Sequence, residues 1–353
     1  MSVASRNATA DPLADLGGTP EVRAALKKMI REEQGVEPAG PLATRSAQDI
    51  FAEELEPVDF VVPGIIAVGG TLFIAKPKTG KTYLAIDFGY AVATGGKALG
   101  AISCEKGDAL LLLLEDNVGR FQRRLKQRAG DAKSVPDRLQ VAFQEGTRRI
   151  DTGLLDQIRD WHKTVTNPRL VVIDTLTAVR PLGIDKRGVF QAEYELCRGV
   201  NDLAHELKVA IIIVHHMRKM TSDDILDDVS GTLALNAAVD TTIGLRKMSG
   251  GYELRGRGRD VDEFEFGLTR GDGRWTMVGS ADELRMTGER RQALSILRDH
   301  GVPMTASEIA KEMGRKADGV RKMLDRMDAD SDGVEKFERG KYRLLPDYEP
   351  EAF

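Results

Sequence analysis

The sequence predicts an α/β protein with a mostly parallel sheet, helices on both faces, an antiparallel extension and a small C-terminal helical module bearing a β-wing. Three observations carry this. Between residues 71 and 215, short apolar runs alternate with amphipathic helical patterns, the texture of βαβ crossovers. From residue 240 to 278, four short runs are separated by glycine-rich turns, which reads as antiparallel strands. Beyond residue 287, three helical patterns precede a hairpin pattern, a winged helix-turn-helix layout.

Taken in order, residues 1–45 mix Ala, Gly, Pro, Ser and charge; one short helix (21–33) is possible, and the arm is expected to be mobile. A helix is expected over 46–55, followed by the strand 71–74, both within a large domain spanning 46–279. Strands at 109–115, 139–143, 170–174 and 209–215 alternate with helices at 118–129, 152–164 and 190–207. The antiparallel runs are 240–246, 252–257, 263–269 and 275–278. A boundary at 279–287 leads to the module at 287–346, with helices at 289–300, from 305, and at 319–327. The Thr305-Ala-Ser-Glu308 spacing is that of a capping box.

Composition bounds the function. A chain of 353 residues, 41% hydrophobic and 30% charged, suits about two globular domains. A net charge of −4 gives no overall nucleic-acid footprint, so any such contact must rest on local patches. Cys104 and Cys197 have neither metal-ligand nor disulfide spacing, which fits a reducing cytoplasm. No apolar signal region opens the sequence, and the longest apolar runs, 109–114 and 209–214, are far too short to span a membrane. A soluble cytoplasmic protein is the expectation.

Residues 71–94 form the centre of the argument. The apolar run meets a loop, and after Lys81-Thr82 a helical stripe of Leu84, Ala85, Phe88, Ala91 and Val92 begins. This is the layout of a phosphate-binding P-loop spanning Ala75, Lys76, Pro77, Lys78, Thr79, Gly80, Lys81, Thr82 and Tyr83. Its backbone N–H groups and the helix N-terminus face the phosphates, Lys81 reaches the β/γ-phosphates, and Thr82 is the Mg²⁺ ligand. Ala75 stands where the usual pattern has Gly, a change that is tolerable if this position still belongs to the strand.

Hydrolysing a phosphoanhydride requires more carboxylates. The strand 170–174 ends in Asp174, the form of a Walker-B aspartate that completes the metal site. The strand 109–115 ends in Glu115, the expected base for the attacking water, with Asp116 as the alternative. The strand from 209 ends in His215 and His216; packing is the plainer reading of such a pair, but at this end of a P-loop sheet His216 is placed to sense the γ-phosphate.

The set Lys-Pro-Lys-Thr-Gly-Lys-Thr, Leu-Leu-Glu-Asp-Asn, Val-Ile-Asp-Thr-Leu, Val-His-His-Met-Arg-Lys and Val-Ser-Gly-Thr-Leu-Ala-Leu-Asn-Ala-Ala-Val-Asp resembles the RecA/DnaB-like ATPases, nearest the plasmid RepA-type hexameric helicase group of phages and mobile elements. The likeness spans residues 60–278. It implies a homo-oligomeric ring, usually a hexamer, with ATP at subunit interfaces and single-stranded DNA in the channel. By this resemblance Lys81 and Thr82 bind phosphate and Mg²⁺, Glu115 is catalytic, Asp174 holds the metal's water and His216 senses the γ-phosphate. It also implies an interfacial arginine finger: Arg255 and Arg257 are favoured, Arg246 the alternative. DNA-facing loops would be 180–189, with Lys186 and Arg187, and 217–230, with Arg218 and Lys219 but also Asp223, Asp224, Asp227 and Asp228.

The C-terminal module offers Arg315, Lys316, Arg321, Lys322 and Arg326 around its second and third helices, and Lys336, Arg339, Lys341 and Arg343 in the wing. Interspersed aspartates leave both duplex DNA and a protein partner open. The leading reading is therefore an ATP-driven DNA motor using ATP and Mg²⁺. A regulatory or recombination-type ATPase that binds DNA without unwinding is the alternative. A small-molecule kinase ranks low because no arginine-bearing lid can be placed.

Overall fold

A computed structural model of the chain describes residue 19 and residues 42–132, 135–183, 188–216, 233–330 and 332–345. Contacts divide the chain into two units, residues 1–57 and 58–353. In the first, helix α1 (Ala47–Phe51) is short; Ser46 caps it by accepting from the Asp49 N–H at 3.0 Å. The N-terminal arm lies almost wholly outside the described residues.

The second unit is built on a nine-stranded sheet. A small ribbon of β1 (Phe60–Val62) and β2 (Ile66–Ala67) precedes β3 (Gly69–Ala75) and helix α2 (Lys81–Thr94). A second ribbon, β4 (Lys97–Ala98) with β5 (Ile102–Ser103), leads to β6 (Asp108–Leu113), α3 (Val118–Ala129) and β7 (Leu139–Ala142). Then come α4 (Leu154–Thr164), β8 (Pro168–Asp174), α5 (Leu176–Val179), α6 (Gly188–Leu207), β9 (Ala210–His216) and α7 (Leu233–Ala237). The antiparallel extension is β10 (Thr241–Met248), β11 (Gly251–Gly258), β12 (Phe264–Gly271) and β13 (Arg274–Gly279). The strand order is β13-β12-β11-β10-β3-β9-β8-β6-β7. From β10 to β7 every pairing is parallel, and β11 to β13 pair antiparallel, so β10 joins the two kinds of sheet.

Period-two alternation divides the buried strands between two cores. Phe73, Ala75, Leu111, Leu113, Val172 and Val214 pack with Leu84, Phe88, Ala91 and Val92 of α2 on one face. Leu72, Ile74, Leu112, Ile173 and Ile213 pack with Leu196, Val200 and Leu203 of α6 and with Ile158 and Trp161 of α4 on the other. Strands buried on both faces explain why these runs read as continuous hydrophobic segments. Each fully buried Leu or Ile contributes roughly 1.5–3 kcal/mol, so the sheet is the rigid scaffold for whatever its edge carries.

Helix α8 (Ala281–His300) starts eight residues before the position 289 expected from sequence. The cause is a capping box at Ser280: its hydroxyl accepts from the Glu283 N–H at 3.1 Å, and Glu283 accepts from the Ser280 N–H at 3.1 Å. The helix therefore crosses the expected 279–287 boundary. Its first half lies against the antiparallel strands so closely that a Cβ on Gly288 would fall 2.4 Å from the Ser249 carbonyl carbon. Its second half supplies Leu294 and Leu297 to a separate core with Ile309, Leu324, Val334 and Tyr342. That core joins α9 (Ala306–Met313), α10 (Ala317–Ala329) and a three-stranded sheet of β14 (Met304–Thr305), β16 (Lys341–Leu344) and β15 (Val334–Glu338).

Candidate nucleotide-binding site

Parallel register brings the functional residues together. β3, β9, β8 and β6 run the same way, so their carboxyl ends open on one edge of the sheet. Ala75 is in register with His216, and Asp174 with both Leu113 and Val214. The P-loop leaves β3 on this edge, Glu115 lies two residues beyond β6, and Asp174 closes β8. Ligands of open α/β sheets gather at such carboxyl ends. A cleft of about 350 Å³ lies here, with Lys81, Thr82, Glu115, Asp174 and His216 on its wall.

Ala75 is buried as the last residue of β3. The positive φ angles fall later, at Lys78 (63°) and Gly80 (108°), so the first P-loop position needs no glycine. Thr79 closes the loop by donating from its hydroxyl to the Lys76 carbonyl at 2.7 Å. Lys76, Pro77 and Lys78 are exposed at its tip. Lys81 is buried, and its ammonium donates to the carbonyls of Ala75 (3.0 Å) and Lys76 (2.8 Å). Burial pushes its pKa down to about 8, opposed by the charges of Asp174 and Glu115.

Thr82 donates from its hydroxyl to Asp174 Oδ2 at 2.7 Å. Asp174 is buried, which raises its pKa; the Thr82 bond opposes this and the Glu115 charge adds to it. Hard oxygens from one hydroxyl and one carboxylate suit Mg²⁺, which takes one or two protein oxygens and completes its octahedron from phosphates and water. The side chains present thus fit both ATP and Mg²⁺.

Glu115 is held at both oxygens. Oε1 accepts from the Thr175 hydroxyl at 2.7 Å, and Oε2 lies 3.3 Å from His216 Nε2. Asp116, the alternative base, is taken up by α3: Arg120 Nε donates to it at 2.6 Å, and Arg124 also bonds it. His215, in register with Ile74, is forced neutral by burial, its pKa pushed down to about 4 with help from His216 and Lys81. Thr175, Arg124 and Arg270 also belong to the site and were not anticipated. Thr175 follows the Walker-B-type aspartate directly, a legible position, but nothing local marks Arg270, which reaches the P-loop from β12.

Arg255 and Arg257 do not line this chain's cleft. They sit on β11, two strands from β3, opposite Gly244 and Thr242. Arg255 bonds Glu263, with its Nε at 3.0 Å, and Arg246 bonds Glu253 at 2.5 Å. Of the expected DNA-facing residues, Lys186, Arg187, Arg218 and Lys219 lie outside the described residues, whereas Arg180 pairs with Glu193 at 3.4 Å.

The family that matches this chain is described as the AAA domain, and the match covers residues 37–222. The chain belongs to the AAA domain family. Lys81, Thr82, Glu115 and Asp174 all fall inside the matched region, and this member of the family is a P-loop ATPase. Among solved structures, that of a DnaB-like replicative helicase, described with its interactions with primase, is similar over 72% of each chain at 15% identity and a TM-score of 0.48. No curated protein sequence matches.

Proposed function

We propose that this ATPase is a motor on nucleic acid, a ring of identical subunits, six by the resemblance above, that hydrolyses ATP at its interfaces and holds single-stranded DNA. The observation that carries the hydrolytic half is Glu115, fixed by Thr175 and His216 in the same cleft as Lys81, Thr82 and Asp174. Lys81 exchanges its carbonyl partners for phosphate oxygens. Thr82 and Asp174 would hold Mg²⁺, which would neutralise charge on the phosphates. Glu115 accepts the proton of the attacking water, with its orientation set by Thr175. His216 divides its hydrogen bond between Glu115 and the γ-phosphate, so loss of that phosphate is felt at β9.

Arg255 and Arg257 serve a neighbouring subunit's site in this reading, since they are remote from their own. The C-terminal module acts as a winged helix. Several of its cations are engaged internally: Lys336 with Asp325 at 2.6 Å, Arg343 with Glu335 at 2.6 Å, and Arg315 with Glu289. That favours a protein partner over duplex DNA for this module. Among the described residues no helix is long and apolar enough to cross a membrane, and the cytoplasm is the proposed location.

The test is ATP hydrolysis by the full chain with and without single-stranded DNA at two salt concentrations, followed by strand displacement. The expected result is salt-sensitive stimulation by the strand and unwinding. Stimulation without displacement favours the regulatory or recombination-type ATPase. Hydrolysis indifferent to DNA refutes the motor. Mixing Glu115→Gln with Arg257→Ala protein should restore or poison activity non-additively; purely additive mixtures would argue against a finger shared between subunits.

A further inference from the structure

Arg270 projects from the end of β12 into the nucleotide cleft, and its surroundings are unusual for an arginine. Its guanidinium lies 4.8 Å from the ring centre of Tyr83, 5.4 Å from Trp275 and 5.7 Å from Tyr252. Tyr252 and Trp275 meet edge to face at 4.9 Å, which makes two sides of the cage rigid. Among the described residues Arg270 makes no hydrogen bond and no ion pair. A guanidinium has five N–H donors in a fixed fork, and stacking on aromatic faces uses none of them. The cage thus holds the charge in place and leaves its donors unused.

Those donors lie against the P-loop. A Cβ on Gly80 would fall 2.3 Å from Arg270 Nη1 and 2.9 Å from Trp275 Cζ2. Gly80 immediately precedes Lys81, and Tyr83 follows Thr82, so the cage is built partly from the P-loop's own helix. Trp275 is buried, and among the described residues its indole N–H has no partner. The cage is also braced from outside. Tyr83 donates to Gln127 of α3 at 3.3 Å, Arg274 donates to the Gln127 carbonyl at 3.2 Å, and α3 is tied to the Glu115 strand end through Asp116.

We propose that Arg270 binds the phosphate chain of the nucleotide in the same subunit's site, as a cis-acting arginine pre-positioned by Tyr83, Trp275 and Tyr252. This rests on the ATPase reading and adds a residue to it. A charge-assisted bond from a pre-organised fork contributes about tenfold or more in affinity, and little of that is lost to ordering the side chain, because the rings have already ordered it. On binding, the guanidinium shifts from ring faces towards phosphate oxygens, which changes the environment of Trp275.

The chain has two tryptophans, Trp275 and Trp161, and they belong to cores on opposite faces of the sheet. In full-length Trp161→Phe protein, the emission of Trp275 should therefore respond to MgATP and, because the contact is to phosphate, also to inorganic triphosphate. Arg270→Met, which keeps an aliphatic stem among the rings, should weaken both ligands about tenfold or more at an unchanged thermal midpoint. Arg270→Lys should fall between. If Arg270→Met weakens ATP but leaves triphosphate untouched, the contact is to the base and the proposal is wrong. Equal affinity of both variants and the parent for both ligands also overturns it while leaving the ATPase reading intact. A parent protein that binds neither ligand would overturn both.

Discussion

Moving from about pH 7 to about pH 9 should weaken MgATP binding through Lys81 alone. In the free protein its ammonium is buried against two backbone carbonyls and its pKa sits at about 8 rather than the ordinary 10.5. Phosphate oxygens favour the charged form, so binding returns the pKa to its ordinary range or above. At pH 7 about nine-tenths of the lysines are already charged, whereas at pH 9 about one in ten is. The affinity should therefore fall roughly tenfold across this interval, and binding at pH 8 should take up about half a proton per site. The phosphates of the nucleotide are fully ionised above pH 7.5, so they do not contribute to the uptake. Calorimetry at pH 8 in two buffers of different ionisation enthalpy reads the proton directly. Heats independent of buffer, with an affinity flat from pH 7 to 9, would show that Lys81 is charged before nucleotide arrives and would refute the burial argument.

Glu115→Gln should retain ATP binding and lose about a hundredfold or more of hydrolysis, while Asp116→Asn, which disturbs the contacts with Arg120, Arg124 and the Asn117 N–H, should keep most of it; the reverse order would move the base to Asp116. Thr175→Val removes one orienting hydrogen bond and should lower kcat about three- to tenfold with unchanged ATP affinity; a change in affinity instead would place Thr175 on the nucleotide. His215 binds its proton near 6.5 when unfolded and near 4 when folded, so the unfolded chain holds more protons between these values. The resulting stability is complete above pH 6.5 and is lost as pH falls toward 4, amounting to about 2 kcal/mol by pH 5; urea titrations of His215→Asn should show a shallower loss, and an identical slope would exclude His215 as its source. Gly80→Ala places a side chain at φ 108° and against Trp275, and should destabilise the protein by about 1–3 kcal/mol while impairing ATP binding; denaturant midpoints and a nucleotide titration check both.

Much of the site was legible because its residues sit where local patterns end. Leu170 to Asp174 is an apolar run closing on a carboxylate, and the same holds for the run before Glu115. A P-loop is a contiguous signal, and Ala75 could be interpreted because a strand residue does not need positive φ. The start of α8 was misplaced for a local reason: Ser280 and Glu283 form a capping box, but the pattern that follows is weakly amphipathic because one half of the helix faces the sheet and the other half faces the C-terminal core.

By itself the sequence determined the strand and helix periodicities, the P-loop, and the two acids and the histidine at or just beyond the ends of their strands, because each depends on residues adjacent in the chain. Only the structure showed how the two neighbouring acids are engaged, Asp116 by Arg120 and Arg124 of α3 and Glu115 by Thr175 and His216. Only the structure brought Arg270 across from β12 to Gly80, since strand order and register are set by how apolar faces pack, not by separation along the chain. The low pKa values of Lys81 and His215 likewise come from burial, a property of the folded sheet edge that no single stretch of sequence carries.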